Sequence, residues 1–248
     1  MEIIDLEIHA ARKAIHPAWI KGEKYNILVD ACYPGLLHRI EKAAADHGLW
    51  LADLTHVVIT HHDFDHIGSL AALKRCYPQV QVVSSVKDAP YIGGYEKSLR
   101  LQQAEDLFDS LPEEEHSQAL RFQHLLQSVE PVTVDRTLVD GEAIVDGVIA
   151  IETPGHMPGH ISIYIPSHKL VITGDALVYH YGQLEIANAG YTLDMKAALQ
   201  SVAKIAKLDP DTLLCYHGGY YPGNCREALK ALLLNYHEDP NAPVHLFY

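Results

Sequence analysis

The chain has no run that approaches the ~20 apolar residues a membrane-spanning helix needs. Its first residues, Met1 to Ala14, mix Glu2, Asp5 and Glu7 with isoleucines and lack the basic start and apolar centre of a secretory leader, so a cytoplasmic location is expected. Cysteine is scarce. Cys32, Cys76, Cys215 and Cys225 are widely spaced with no C-x-x-C pair, which argues against a disulfide framework or a cysteine-built structural zinc site and leaves buried reduced thiols. Basic residues are also few: 19 Lys and Arg against 32 Asp and Glu give a formal net charge of −13. Such a surface repels polyphosphate at long range, which disfavours extended nucleic-acid binding. The G-x-S-x-G elbow of a serine hydrolase is missing, as are a P-loop and a dinucleotide-binding G-x-G-x-x-G. Low-complexity runs, linkers and fixed-period repeats are absent too.

What remains is ordinary globular composition with one excess. Hydrophobic residues make up 48% and charged residues 21% of 248 positions, which suits one large α/β domain with a substantial core. The excess is histidine, with 17 residues. Histidine is the commonest metal-ligand side chain, so position and spacing must separate ligands from bland residues.

Strand and helix patterns alternate along the chain. Ile3–Ile8 alternates polar and apolar residues like an edge strand, and Lys21-Gly22-Glu23-Lys24 marks a hairpin between Trp19-Ile20 and Tyr25–Asp30. A helix is predicted from Pro34-Gly35 to about His47, a buried strand over Leu54–Thr60, a helix from about Gly68 to Cys76, and a strand over Val80–Ser84. Residues from about Glu96 to Gln127 carry helical periodicity, with Pro112 and Glu113–Glu115 suiting a helix start. This helical insertion is either a lid over a pocket or a layer on a sheet, and Gly93-Gly94 before it could hinge. Strands follow at Val132–Val134, Thr137–Val139, Ala143–Val145, Val148–Thr153, Ile161–Ile165 and Leu170–Thr173. An amphipathic helix covers Asp194–Leu208, a strand Thr212–Tyr216, and a last helix Cys225–Tyr236. The two halves suggest two packed sheets with helices outside, in a single domain over 1–248. The tail Asp239–Tyr248 suits either docking on a second subunit, as in a homodimer, or packing on its own chain.

The chemistry concentrates at strand ends. Thr60-His61-His62-Asp63-Phe64-Asp65-His66 closes the strand Leu54–Thr60. If extended geometry persists into it, His61, Asp63 and Asp65 share one face, with His66 at the turn into the helix. Asp65 could instead cap that helix, but so many metal-competent side chains in one short segment favour metal. Pro154-Gly155 turns out of the next candidate strand and presents His156. Gly174-Asp175 and His217-Gly218-Gly219 close two further strands. Each of these is weak alone, and the repeated strand-end position is what gives them weight. His160 reads as a supporting or packing residue rather than a ligand.

The order His61-x-Asp63-x-Asp65-His66, then His156, Asp175 and His217, resembles the H-x-H-x-D-H … H … D … H pattern of the metallo-β-lactamase superfamily. The T-P-G-H-M-P-G-H and T-G-D-A segments look most like its glyoxalase II and lactonase-like branches. The resemblance implies an αββα sandwich of two mixed β-sheets with a binuclear metal site at one edge. It places the first metal on His61 and His156, the second on Asp65, His66 and His217, and Asp175 between them. One position departs from the pattern: Asp63 stands where the family has histidine. A carboxylate also ligates zinc, but it adds negative charge and shifts preference toward manganese or iron. The expected cofactors are therefore two divalent ions, zinc first, with Mn or Fe as alternatives.

Two such ions ~3.5–4 Å apart share a water and lower its pKa toward neutrality, which makes hydroxide available without a protein nucleophile. The expected activity is hydrolysis of a small ester, lactone or thioester through that metal-bridging hydroxide, with Asp65 also orienting the water. A phosphodiesterase or nuclease, and an iron-dependent oxidoreductase, are the alternatives. Tyr179 is the candidate substrate-binding residue, near the position where lactonase relatives carry a tyrosine, although packing explains it as well.

Overall fold

The computed structural model describes residues 1–10, 13–187 and 189–238. Six strands form a first mixed sheet, in the spatial order Glu2–Asp5, Ala18–Lys21, Asn26–Val29, His56–Val58, Gln81–Ser85 and Arg136–Leu138. The first two junctions are antiparallel and the other three parallel. A second mixed sheet runs Gly219–Tyr220, Thr212–Cys215, Leu170–Ile172, Ile161–Ile165, Val148–Glu152 and Ala143–Val145, with its one parallel junction between Leu170–Ile172 and Thr212–Cys215.

The two-residue period of a strand explains the layers. Successive side chains point to opposite faces, so a run apolar at every position must be covered on both sides. Ile27, Val29, Val58 and Val83 of the first sheet meet Ile161, Ile163, Ile172 and Leu214 of the second in one buried cluster. The intervening Leu28, Val57 and Val82 face the other way, onto Ile40 and Ala44 of the helix Leu37–Asp46 and Leu70 and Leu73 of the helix Leu70–Cys76. On the far side, Val171 and Leu213 pack on Val202 and Ile205 of the helix Met195–Lys207 and on Leu229 of the helix Cys225–Glu238. The result is the expected αββα sandwich.

Several local expectations are corrected. Ile3–Ile8 is not one strand: Glu2–Asp5 joins the first sheet, while Ile8–Ala10 pairs with Lys13–Ile15 in a separate hairpin. Val132–Val134 forms no strand. Val132 donates its N–H to the Ile92 carbonyl, and the parallel slot beside Gln81–Ser85 goes to Arg136–Leu138. The helical stretch forms Leu99–Asp106 and Glu113–Gln127, the second starting just after Pro112 as its sequence implies. A hairpin of Val178–His180 and Gln183–Glu185 was not anticipated. Its two-residue loop, Tyr181 at φ 49° and Gly182 at φ 84°, takes the left-handed conformations that match strand twist. No helix among the described residues is long and apolar enough to cross a membrane. The tail Asp239–Tyr248 lies outside the described residues.

Candidate metal centre

All seven candidate ligands converge at one edge of the sandwich. His61 and Asp63 follow the strand His56–Val58, with Asp63 still extended; the short helix Phe64–Ile67 then begins and carries Asp65 and His66. Extended backbone therefore does not persist to Asp65, and the turn into the helix brings Asp65 and His66 forward. His156 follows Val148–Glu152, Asp175 follows Leu170–Ile172, and His217 follows Thr212–Cys215.

The side chains form two half-sites joined by Asp175. In one, Asp63 Oδ2 lies 3.0 Å from His156 Nε2 and 3.6 Å from His61 Nε2. In the other, Asp65 Oδ2 lies 3.3 Å from His217 Nε2 and 3.8 Å from His66 Nε2. Asp175 reaches both: its Oδ2 is 3.6 Å from His156 Nε2 and 3.5 Å from His217 Nε2, and its Oδ1 is 3.3 Å from His66 Nε2. Within each of the groups His61–Asp63–His156, His61–His66–Asp175 and Asp65–His66–His217, one donor atom per residue lies within 4.8 Å of the others.

A second set of residues aims these donors. Asp30 Oδ2 accepts a hydrogen bond from His66 Nδ1 at 2.8 Å and its Oδ1 accepts from the Thr60 N–H, which leaves His66 Nε2 facing the centre. His61 Nδ1 sits 3.1 Å from Thr60 Oγ1, so its Nε2 also points inward. His160 is indeed a support. The Asp175 N–H donates to its Nε2 at 2.9 Å, and its Nδ1 lies 2.8 Å from Thr153 Oγ1, so it fixes the backbone of the shared carboxylate. Asp30 itself sits at φ 66°, a left-handed position that turns its carboxylate under the histidines.

The electrostatics are those of a cation site. Burial opposes charge on Asp63, yet Arg100, His156 and His61 hold its carboxyl well below the usual range. Asp175 is likewise held far down against burial, by His217 and His66. The same carboxylates lift His66 well above its ordinary value and push His217 up to about 9, in both cases against burial. His61 Nε2, His66 Nε2 and Asp175 Oδ1 are buried with no hydrogen-bond partner. Buried polar atoms left unpaired are costly, and three converging on one point are satisfied together by a cation. The residues present therefore fit a metal.

Four residues near the centre escaped the sequence reading. Arg100, from the helix Leu99–Asp106, is buried and forks onto Asp63, with Nη2 at 2.7 Å from Oδ2 and Nε at 3.2 Å from Oδ1. A lone arginine in an ordinary helical pattern gives no signal of such a partner. Asp88 and Asp30 are buried carboxylates bound to histidines, Asp88 Oδ1 lying 3.1 Å from His62 Nδ1. Tyr33 lines the cavity beside the centre, its hydroxyl pKa pushed up by burial and by Asp65 and Asp175. That cavity, about 200 Å³, is lined by Phe64, Phe122, Val178 and Ile186 as well as by the metal-competent groups and the charged side chains of Lys13, Arg100 and Glu185. Tyr179 is not in its lining. Strand alternation gives the cavity Val178 and His180, while Tyr179 packs edge-on against Tyr221.

Comparison with known proteins agrees with this architecture. A sequence profile of the metallo-beta-lactamase superfamily matches residues 15–217. The chain belongs to the metallo-β-lactamase superfamily, whose members are mostly metal-dependent hydrolases and whose fold implies divalent metal ions. It is 26% identical over 210 residues to the probable metallo-hydrolase YflN of Bacillus subtilis (strain 168), covering 77% of this chain and 75% of that protein. A hydroxyacylglutathione hydrolase of Bartonella tribocorum is 30% identical over 181 residues, 73% of this chain and 54% of the relative. Among solved structures, the metallo-beta-lactamase family protein TTHA1429 from Thermus thermophilus superposes with a TM-score of 0.76 at 22% identity, covering 95% of this chain and 79% of its own.

Proposed function

We propose that this protein is a binuclear metal-dependent hydrolase of a small ester, lactone or thioester. The observation that carries the reading is the set of unpartnered imidazole and carboxylate atoms converging beside a cavity lined by both charged and apolar side chains. His61, Asp63 and His156 would hold one cation, Asp65, His66 and His217 the other, and Asp175 both; zinc is the first choice, and manganese or iron the alternatives. When bound, the pair supplies an activated water at neutral pH and a Lewis acid for the carbonyl oxygen. Asp65 lines the cavity, where its carboxylate would orient that water while holding the metal. Tyr33, held protonated, donates a hydrogen bond to the departing group. Phe64, Phe122 and Ile186 seat an apolar acyl or leaving portion and exclude bulk water.

Relatives named hydroxyacylglutathione hydrolases support a thioester among the candidate substrates. The net charge of −13 favours a small molecule over nucleic acid. Protein loaded separately with zinc, manganese or iron should hydrolyse members of a panel of p-nitrophenyl esters, acyl thioesters and lactones. Asp175→Asn should lower that rate at least ~100-fold, because the shared group loses one of its two oxygen donors and its negative charge. Turnover of bis-p-nitrophenyl phosphate alone, or of no carbonyl substrate with any metal, would overturn the proposal.

A further inference from the structure

Arg100 places a fixed positive charge against one half of the centre and not the other. Its Nη2 lies 2.7 Å from Asp63 Oδ2 and 3.3 Å from His156 Nε2, so it touches two of the three donors of the His61–Asp63–His156 half-site. It is held there from several sides. Nη1 donates to Gln103 Oε1 at 2.5 Å, Nη2 to the Tyr191 carbonyl at 2.7 Å, and the guanidinium lies 4.9 Å from the centroid of the Tyr191 ring. Only 2% of Arg100 is exposed, so solvent and salt barely screen it. Arginine keeps its proton throughout the working pH range and forks onto carboxylate, so the charge persists. Among the described residues no lysine or arginine forms an ion pair with Asp65 or Asp175. The first half-site therefore has its carboxylate compensated by a fixed guanidinium, while the carboxylates of the second face only histidines, whose protons an incoming cation can displace.

Resting on the reading of this cluster as a two-cation centre, we propose that Arg100 makes its halves unequal. The Asp65–His66–His217 half takes the first cation. The His61–Asp63–His156 half takes the second at least ~tenfold more weakly, because the guanidinium competes for Asp63 and repels the incoming charge. The insertion that carries Arg100 thereby tunes how much metal the enzyme holds at a given free concentration. Asp63 and Arg100 act as one unit: together they return the half-site to the net charge a neutral histidine would have given it, but with the cation already in place.

Metal-free protein titrated with zinc against a chromophoric chelator should bind in two steps, the second at least tenfold weaker. Arg100→Met should tighten the second step at least tenfold and move the first less than threefold. Two steps of equal strength in the unaltered protein, or an unmoved second step in the variant, overturn the inference and leave the metal centre standing. No zinc binding overturns the centre as well. The variant leaves Asp63 buried and unpaired and could fail to fold, so crystals of the unaltered protein with one equivalent of zinc give an independent reading. Anomalous signal should be confined to the Asp65–His66–His217 side with the Arg100–Asp63 contact intact, and equal signal at both sides refutes the assignment.

Discussion

In the proposed centre, His217 and His66 would exchange a proton for a metal. Burial disfavours the charged imidazole of His217, but Asp175 and Asp65 outweigh it and lift the pKa to about 9. A group raised in the folded state stabilises the fold fully below its unfolded value and loses that contribution as pH rises through the folded value. Metal-free protein should therefore lose thermal stability as pH climbs from about 6.5 to about 9, since 6.5 is the ordinary histidine value and about 9 the shifted one. The depressed carboxylates act oppositely: Asp63 and Asp175 stabilise above the ordinary carboxylate range and fail only in strong acid. Zinc must displace the same histidine protons, so its affinity should rise over the interval in which metal-free stability falls. Thermal melts with chelator and zinc titrations at matched pH would check both trends. A flat melting temperature together with pH-independent affinity would contradict the proton assignment. At this scale the candidate ligand residues were legible in the sequence because their chemistry is in the side chain. Arg100 and Asp30 were not, because nothing in Leu-Arg-Leu or Val-Asp-Ala states which buried group each will meet.

Elements deliver the ligands through strand ends, and the loops that do so are sterically exacting. Gly155 sits at φ 141°, and a Cβ there would lie 2.3 Å from the backbone nitrogen of Ala198. The tightness has a cause: the Gly155 carbonyl accepts the Asp194 N–H and the His156 carbonyl accepts the Leu193 N–H, which clamps the ligand loop onto the start of the helix Met195–Lys207. Gly155→Ala should destabilise the protein by about 1–3 kcal/mol through overpacking alone, and displace His156 enough to weaken metal binding. Urea unfolding and zinc titration of the variant measure the two effects, and unchanged stability would show that the helix yields to the loop. Strand and helix existence followed from periodicity, as in Leu54–Thr60 and Asp194–Leu208. The hairpin at Val178–Glu185 escaped because its three-residue arms are too short to show alternation. Its Tyr181-Gly182 turn was the one available signal, and without it Tyr179 is misplaced by one residue of strand parity.

The whole molecule brings the two sheets together at the centre. His61, Asp63, Asp65 and His66 come from the end of the first sheet, and His156, Asp175 and His217 from the second. A bound cation therefore clips one sheet to the other and adds to the apolar interface between them. Chelation should lower the melting temperature and metal should restore it. With free metal at ~100 times its dissociation constant, the gain is about 2.7 kcal/mol for one site. Scanning calorimetry with and without chelator tests this, and a melting temperature indifferent to metal would mean that no ion links the sheets. The sequence by itself determined the layers, the strand ends and the candidate ligand types, because hydrophobic period and side-chain donors are local properties. Only the tertiary structure decided that Asp63 faces Arg100, that His160 holds the backbone of Asp175, and that Tyr33 rather than Tyr179 lines the cavity. The first two contacts join residues 37 and 15 positions apart, and the third turns on the strand face Tyr179 takes and on the loop after Asn26–Val29 that carries Tyr33; packing sets all three.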